Sequence, residues 1–247
     1  MSDAVPNAVP DAAPAKLVLF DIDGTLLWGD GAARRAFEGS LAEVFGTPGD
    51  PSVRYDGKTD RQIARELMRG AGFDDAEVDR RMDALVAGYL ERLRGEVRAG
   101  REAGASNFVA LPGVAELLDA LEPVSGVVLG LLTGNVAGGA AVKLAAAGID
   151  RARFRANAFG CDAEHRPELP EIARRRGEEL LGASLAGADV VVIGDTPADV
   201  RCARPIGARS VGVATGRYSE AELAEHEAAA TLPDFRDTAR AVAAILG

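Results

Sequence analysis

Three short stretches of this sequence carry side chains whose types and spacing could do chemistry. In Asp21-Ile22-Asp23-Gly24-Thr25 two carboxylates lie two residues apart. On an extended backbone they share a face, and Gly24 lets the chain turn away sharply behind them. Two carboxylates so close repel unless a cation stands between them. An acidic β-turn, with Asp and Gly supplying the turn chemistry, is the other reading. In Leu132-Thr133-Gly134-Asn135 a hydroxyl and successive backbone N–H groups suit an anion, provided a helix starts there. An N-cap followed by a turn is the alternative. In Gly194-Asp195-Thr196-Pro197-Ala198-Asp199 two carboxylates lie four apart, and a helix would bring Asp199 back beside Asp195. Hard divalent cations such as Mg²⁺ take oxygen ligands of this kind, together with phosphate and water. Helix capping by Asp would also explain the pattern. His165-Arg166-Pro167 adds a fixed positive charge in a loop, or a solvated arginine. Lys143, the remaining cation of interest, lies in an Ala-rich helical stretch and reads as a solvated surface lysine.

Each of the three stretches follows an apolar run. Leu17 to Phe20, Val127 to Leu132 and Val190 to Ile193 are apolar on both faces, which predicts buried strands of a parallel sheet. Ser210 to Val213 is a weaker fourth. Helical spacing lies between them, at Val114, Leu117, Leu118 and Leu121 behind Pro112, over Val142 to Ala147 and over Glu171 to Leu181. Ser219 with Glu222 forms a capping box. The alternation predicts an α/β fold with a doubly wound parallel sheet, on which ligands bind outside the carboxyl ends of the strands. Between Leu26 and about Phe108 the alternation stops. Ala33, Ala36, Phe37, Leu41 and Val44 form one helical stripe, and Ile63, Ala64, Leu67 and Met68 a second. Val78, Met82, Leu85, Tyr89 and Leu93 form a longer third. No strand-like run is visible there, so an all-α insert is expected directly behind the first strand.

Composition narrows the partners. The 247 residues are 47% hydrophobic and 27% charged, enough for a large core in one or two domains. Lys and Arg number 28 against 38 Asp and Glu, a net charge of −10. That field opposes nucleic acid and anionic membranes as partners. Two histidines with Cys161 and Cys202 supply neither a disulfide framework nor a zinc site. No apolar run reaches the roughly 18 residues of a membrane span. Residues 1–15 lack the basic and apolar regions of a secretory signal and read as a disordered leader, so a cytoplasmic location is expected.

Phe20-Asp21-Ile22-Asp23-Gly24-Thr25-Leu26 resembles the first motif of the haloacid dehalogenase superfamily of phosphohydrolases. Leu132 to Asn135 resembles the second motif, and Gly194 to Asp199 the fourth, in matching order over Leu17 to about Gly216. The resemblance implies a Rossmann-like core over 16–29 and 109–247 with an all-α cap over 30–108, as in the phosphoglycolate phosphatase and β-phosphoglucomutase branch. It implies that Asp21 is the nucleophile and Asp23 the general acid and base. Mg²⁺ would sit on the Asp21 carboxylate, the Asp23 carbonyl and Asp195, with Asp199 beside it. Thr133, Gly134 and Asn135 would hold the phosphoryl oxygens. The family's third motif carries lysine, often before proline. Here Arg166-Pro167 stands in its place with altered spacing, supplying the same charge on a rigid fork. The dehalogenases lack the second aspartate of the first motif, so Asp23 argues for ester hydrolysis. Related phosphonatases use a cap lysine as a Schiff base. Lys58 is the sole lysine of this cap, and its polar surroundings point to substrate binding, or to an exposed lysine ahead of a helix capped by Thr59 or Asp60. The expected activity is a Mg²⁺-dependent phosphatase of small phosphorylated metabolites, with phosphoglycolate the leading substrate. A phosphomutase using the same Asp21 chemistry and a non-catalytic binding protein are the alternatives.

Overall fold

The computed structural model describes residues 15–247, so residues 1–14 of the expected leader lie outside it. The chain runs β1 (Lys16–Phe20), β2 (Leu27–Gly29), α1 (Ala32–Phe45), α2 (Asp60–Gly70), α3 (Asp75–Glu102), β3 (Phe108–Ala110) and α4 (Val114–Leu121). It continues with β4 (Val127–Thr133), α5 (Ala137–Ala146), β5 (Ala158–Phe159), α6 (Leu169–Leu181), β6 (Val190–Gly194) and α7 (Pro197–Cys202). Last come β7 (Arg209–Val213), α8 (Glu220–Glu225), β8 (Ala230–Leu232) and α9 (Thr238–Leu246).

Six strands form one sheet in the order β5-β4-β1-β6-β7-β8, every pair parallel. Alternate residues of its central strands enter two different cores, as the twofold period of a strand requires. Val18, Phe20, Leu129, Leu131, Val191 and Ile193 face one side, where α4, α5 and α9 cover them. Leu17, Leu19, Val128, Leu132, Val190 and Val192 face the other, against Leu169, Ala173 and Cys202. This is why the central strands read as unbroken apolar runs. Chain order reverses direction between β1 and β6, and an open parallel sheet binds ligands in the crevice such a reversal creates. The doubly wound α/β expectation therefore holds.

The helical stretch leaves and rejoins the sheet through a two-stranded antiparallel ribbon, with Leu27 opposite Ala110, Trp28 opposite Val109 and Gly29 opposite Phe108. This ribbon corrects the expectation that no strand lies in that region. With three residues a side, it is too short for periodicity to reveal. Gly24 makes the turn ahead of it at φ 83°. The second and third predicted stripes lie on the buried faces of α2 and α3, and Ala36, Phe37 and Leu41 of the first on that of α1, with Ala33 and Val44 partly buried at its edges. Asp74 caps the 28-residue α3, accepting from the Glu77 N–H, and Thr59 caps α2 through Gln62. Phe37 packs edge-on to Tyr89 at 5.3 Å and to Tyr55 at 6.3 Å, joining segments of the insert to one another. The apolar cluster of the insert is continuous with one face of the sheet. No helix among the described residues is long and apolar enough to cross a membrane.

Candidate active site

The loops behind β1, β4 and β6 meet at the crevice, where the helical insert forms the opposite wall of a cleft of about 290 Å³. Asp21 follows β1 directly, its N–H held by the Ile193 carbonyl at 2.9 Å. Asp195 follows β6, and Asp199 lies in the first turn of α7. One carboxylate oxygen of each lies within 4.8 Å of the others, and all three residues are buried. Two glycines make room for Asp195. A Cβ on Gly24 would stand 2.4 Å from its Oδ2, and one on Gly216 would stand 1.8 Å from it.

Arg166 is the cation of this cluster. It is 5% exposed and donates to Asp21 Oδ1 at 2.8 Å, to the Leu132 carbonyl at 3.2 Å, and to Asp199. The reading of Arg166 as a solvated loop residue is thereby removed. One guanidinium faces three carboxylates. Burial, together with the neighbouring carboxylates, pushes Asp21 up to about 7 and Asp195 to about 9. The donor set is all hard oxygen and short of positive charge, which suits a divalent cation of the Mg²⁺ kind. Asp199 is the most occupied of the three. Its Oδ2 accepts from the Thr196 N–H at 2.9 Å and the Thr196 hydroxyl at 2.6 Å, while its Oδ1 takes Arg166. Asp199 thus serves the cap of α7 and also lies in the carboxylate cluster. Asp21 and Asp195 keep the freer oxygens.

Asp23 lies on the outer side of the same loop, its side chain 45% exposed. Both oxygens accept from the Lys143 ammonium, at 2.9 and 2.7 Å, and Oδ2 also accepts from Asn135 Nδ2 at 2.8 Å. Lys143 donates further to Asn135 Oδ1 at 2.6 Å. Asn135 Nδ2 donates its other proton to Thr133 Oγ1 at 2.8 Å. The Thr133 hydroxyl is thus an acceptor in this network and donates to none of the described residues. Lys143 was expected at the surface, and the structure corrects this: it is 5% exposed. Its sequence held a signal. Ala140, Lys143 and Leu144 are the buried stripe of α5, so the lysine lies on the inner face of an amphipathic helix.

The insert reaches the site through Tyr55 to Asp60. A Cβ on Gly134 would stand 2.0 Å from the Lys58 carbonyl, so this close approach requires glycine. The Asp60 N–H donates to the Gly134 carbonyl at 2.8 Å. Asp60 Oδ2 accepts from the Val136 N–H at 2.8 Å and so caps α5 from 76 residues away in sequence. Burial raises the Asp60 carboxyl to about 6, against the opposing pull of Lys143. Arg65 clasps Glu164 of the core at 2.5 and 2.8 Å, and the Thr59 hydroxyl donates to the Glu164 carbonyl at 2.5 Å. Lys58 lines the cleft with its side chain 26% exposed and pairs with Glu66, so it is not a free loop lysine.

Residues 15–207 match the model of the haloacid dehalogenase-like hydrolases. The chain belongs to that family. It is therefore a hydrolase of the haloacid dehalogenase-like group. A hydrolase from Pseudomonas syringae superposes with a TM-score of 0.66 at 24% identity, covering 93% of this chain and 99% of its own. CbbY from Rhodobacter sphaeroides, in complex with phosphate, gives 0.62 at 19% identity over 90% and 96%. A predicted phosphoglycolate phosphatase from Haemophilus somnus gives 0.62 at 19% identity over 92% and 98%. At these identities the likeness speaks for the fold. No curated protein matches the chain.

Proposed function

We propose that this hydrolase is a Mg²⁺-dependent phosphatase of small phosphomonoesters, working through an aspartyl-phosphate on Asp21. The observation that carries the reading is the contrast between two carboxylates of one loop. Asp21 is buried beside Arg166, while Asp23 stands half-exposed across the cleft mouth. Arg166 holds the Asp21 carboxylate through Oδ1 and so orients it for attack on phosphorus. The bond to the ester oxygen breaks, and Asp23 gives that oxygen its proton. Asp23 then takes a proton from water as the water attacks the aspartyl-phosphate, returning Asp21 and releasing phosphate. The Thr133 hydroxyl and the Gly134 and Asn135 backbone bind the phosphoryl oxygens, and Arg166 offsets their charge.

Asp21, Asp195 and the Asp23 carbonyl would hold Mg²⁺, with Asp199 orienting Arg166 beside them. The bound cation supplies charge neutralisation to a phosphoryl group approaching an anionic nucleophile. The helices between the β2–β3 ribbon act as a cap over 30–108, and their docking on Gly134 excludes bulk water while Asp21 is modified. Lys58 then faces the organic part of the ester. Phosphoglycolate heads the substrate panel because a predicted phosphoglycolate phosphatase is among the proteins of like fold.

The test is phosphate release from 4-nitrophenyl phosphate and a panel of small phosphomonoesters, with Mg²⁺ and with EDTA, by wild type and Asp21→Asn. Release that needs both Mg²⁺ and Asp21 is the expected result. Release indifferent to Asp21 overturns the nucleophile. Activity only with a bisphosphate primer would make the chain a mutase.

A further inference from the structure

We propose that Lys143 is a positioning residue for Asp23, acting through a closed network with Asn135 and never touching the substrate. The inference rests on the reading of Asp23 as the group that passes protons to the leaving oxygen and from water. An ammonium has three N–H donors. Those of Lys143 find Asp23 Oδ1 at 2.9 Å, Asp23 Oδ2 at 2.7 Å and Asn135 Oδ1 at 2.6 Å, so none remains for a phosphoryl oxygen. This distinguishes Lys143 from Arg166, which holds the nucleophile and lies within reach of the phosphoryl site. Asn135 is equally committed. Its oxygen takes Lys143, and its two N–H groups serve Asp23 Oδ2 and Thr133 Oγ1, both at 2.8 Å.

The need for such a clamp follows from where Asp23 lies. Its residue is exposed, on a loop that turns at Gly24, and its carboxylate would otherwise sample several rotamers in water. A proton carrier must stand within hydrogen-bond reach of the leaving oxygen, and a displacement of about 1 Å can cost a hundredfold in rate. The clamp is anchored on rigid elements. Lys143 lies on the buried stripe of α5 and is 5% exposed, and Asn135 lies between β4 and α5 and is 6% exposed. The network also ties the proton carrier to the Thr133 hydroxyl, so the two reach the ester in fixed register. Asp60 of the insert caps the same helix at Val136, which places the clamp and the docked insert on one support.

The experiment measures kcat and KM for an alkyl phosphate, phenyl phosphate and 4-nitrophenyl phosphate in wild type, Lys143→Met, Asn135→Ala, Asp23→Asn and Lys143→Met/Asp23→Asn. Circular dichroism checks the fold of each. The expected result for Lys143→Met is a fall in kcat of about 10²-fold on the alkyl ester and about threefold on the nitrophenyl ester, whose leaving group needs no proton, with KM changed less than about threefold. Asn135→Ala, which leaves the buried lysine in place, should show the same dependence on leaving group. The double variant should be no slower than Asp23→Asn alone, since both changes remove one function. Loss that is equal for all three esters, loss that multiplies with Asp23→Asn, or no loss at all overturns the proposal while leaving the phosphatase reading intact. Failure of wild type to release phosphate from any ester overturns both.

Discussion

The two halves of the cleft treat charge in opposite ways. On the side of β6, three buried carboxylates cluster around one guanidinium that pairs with two of them, and Asp21 and Asp195 are pushed well above the ordinary carboxylate range. On the side of β4, one half-exposed carboxylate meets one buried ammonium and an amide that complete each other's hydrogen bonds. The first half is deficient in positive charge and could hold a cation. The second is self-sufficient and is built to hold a group still. Two aspartates separated by a single residue therefore differ in surroundings though not in side chain, and on the proposed reading that difference divides their tasks.

The largest test of that contrast replaces each aspartate in turn. Asp21→Asn should lower phosphate release by about 10⁵-fold for every ester, because a nucleophile cannot be bypassed. Asp23→Asn should spare esters with good leaving groups, so a nitrophenyl-to-alkyl rate ratio that rises in Asp23→Asn separates the two halves. Identical profiles for both variants would erase the distinction.

A second test uses stability. Asp21 and Asp195 have raised pKa values in the folded, metal-free chain, so between about pH 4 and about 9 that chain retains protons the unfolded chain has lost. Its stability should therefore fall as the pH rises through this window. Mg²⁺ should restore it, raising Tm more at pH 8 than at pH 6. Asp195→Asn should flatten the metal-free slope and lose the response to Mg²⁺, whereas Lys143→Met should keep both. Scanning calorimetry with and without the cation reads all of these.

Smaller effects concern the insert against the sheet. Gly134→Ala places a methyl group 2.0 Å from the Lys58 carbonyl and should cost about 2 kcal/mol in urea unfolding, with a raised KM. Asp60→Ala removes the cap of α5 and should cost about 1 kcal/mol, while Asp60→Asn, which still accepts from Val136, should cost a fraction of that. Equal losses for both Asp60 variants would show that its charge rather than its acceptor matters.

How much of this was legible depends on range. The apolar runs of β1, β4, β6 and β7 announced themselves because strands covered on both faces need apolar residues throughout. Each short motif behind them could be located by its neighbours in sequence. β2, β3, β5 and β8 have two or three residues apiece, below the length at which alternation can be seen. Asp60 gave no sign of its task, since a cap supplied from 76 residues away is a property of docking and not of local pattern. Lys143 was misread for a different reason. Alanines around a lysine suggest a solvent-facing helix, yet its offset from Ala140 and Leu144 placed it inward. A buried lysine on an apolar stripe implies a carboxylate to meet it. Asp23, 120 residues earlier, is that partner.

The sequence contains one tryptophan, and it sits on the ribbon through which both ends of the insert pass. Trp28 is 48% exposed and lines the cleft. The indole is thus an intrinsic fluorophore at the junction of insert and sheet, half in water and half against protein. Any movement of the insert on the sheet would change its hydration, so emission wavelength and quenching by iodide would report that movement without a label, and a stopped-flow trace of the single signal would time it.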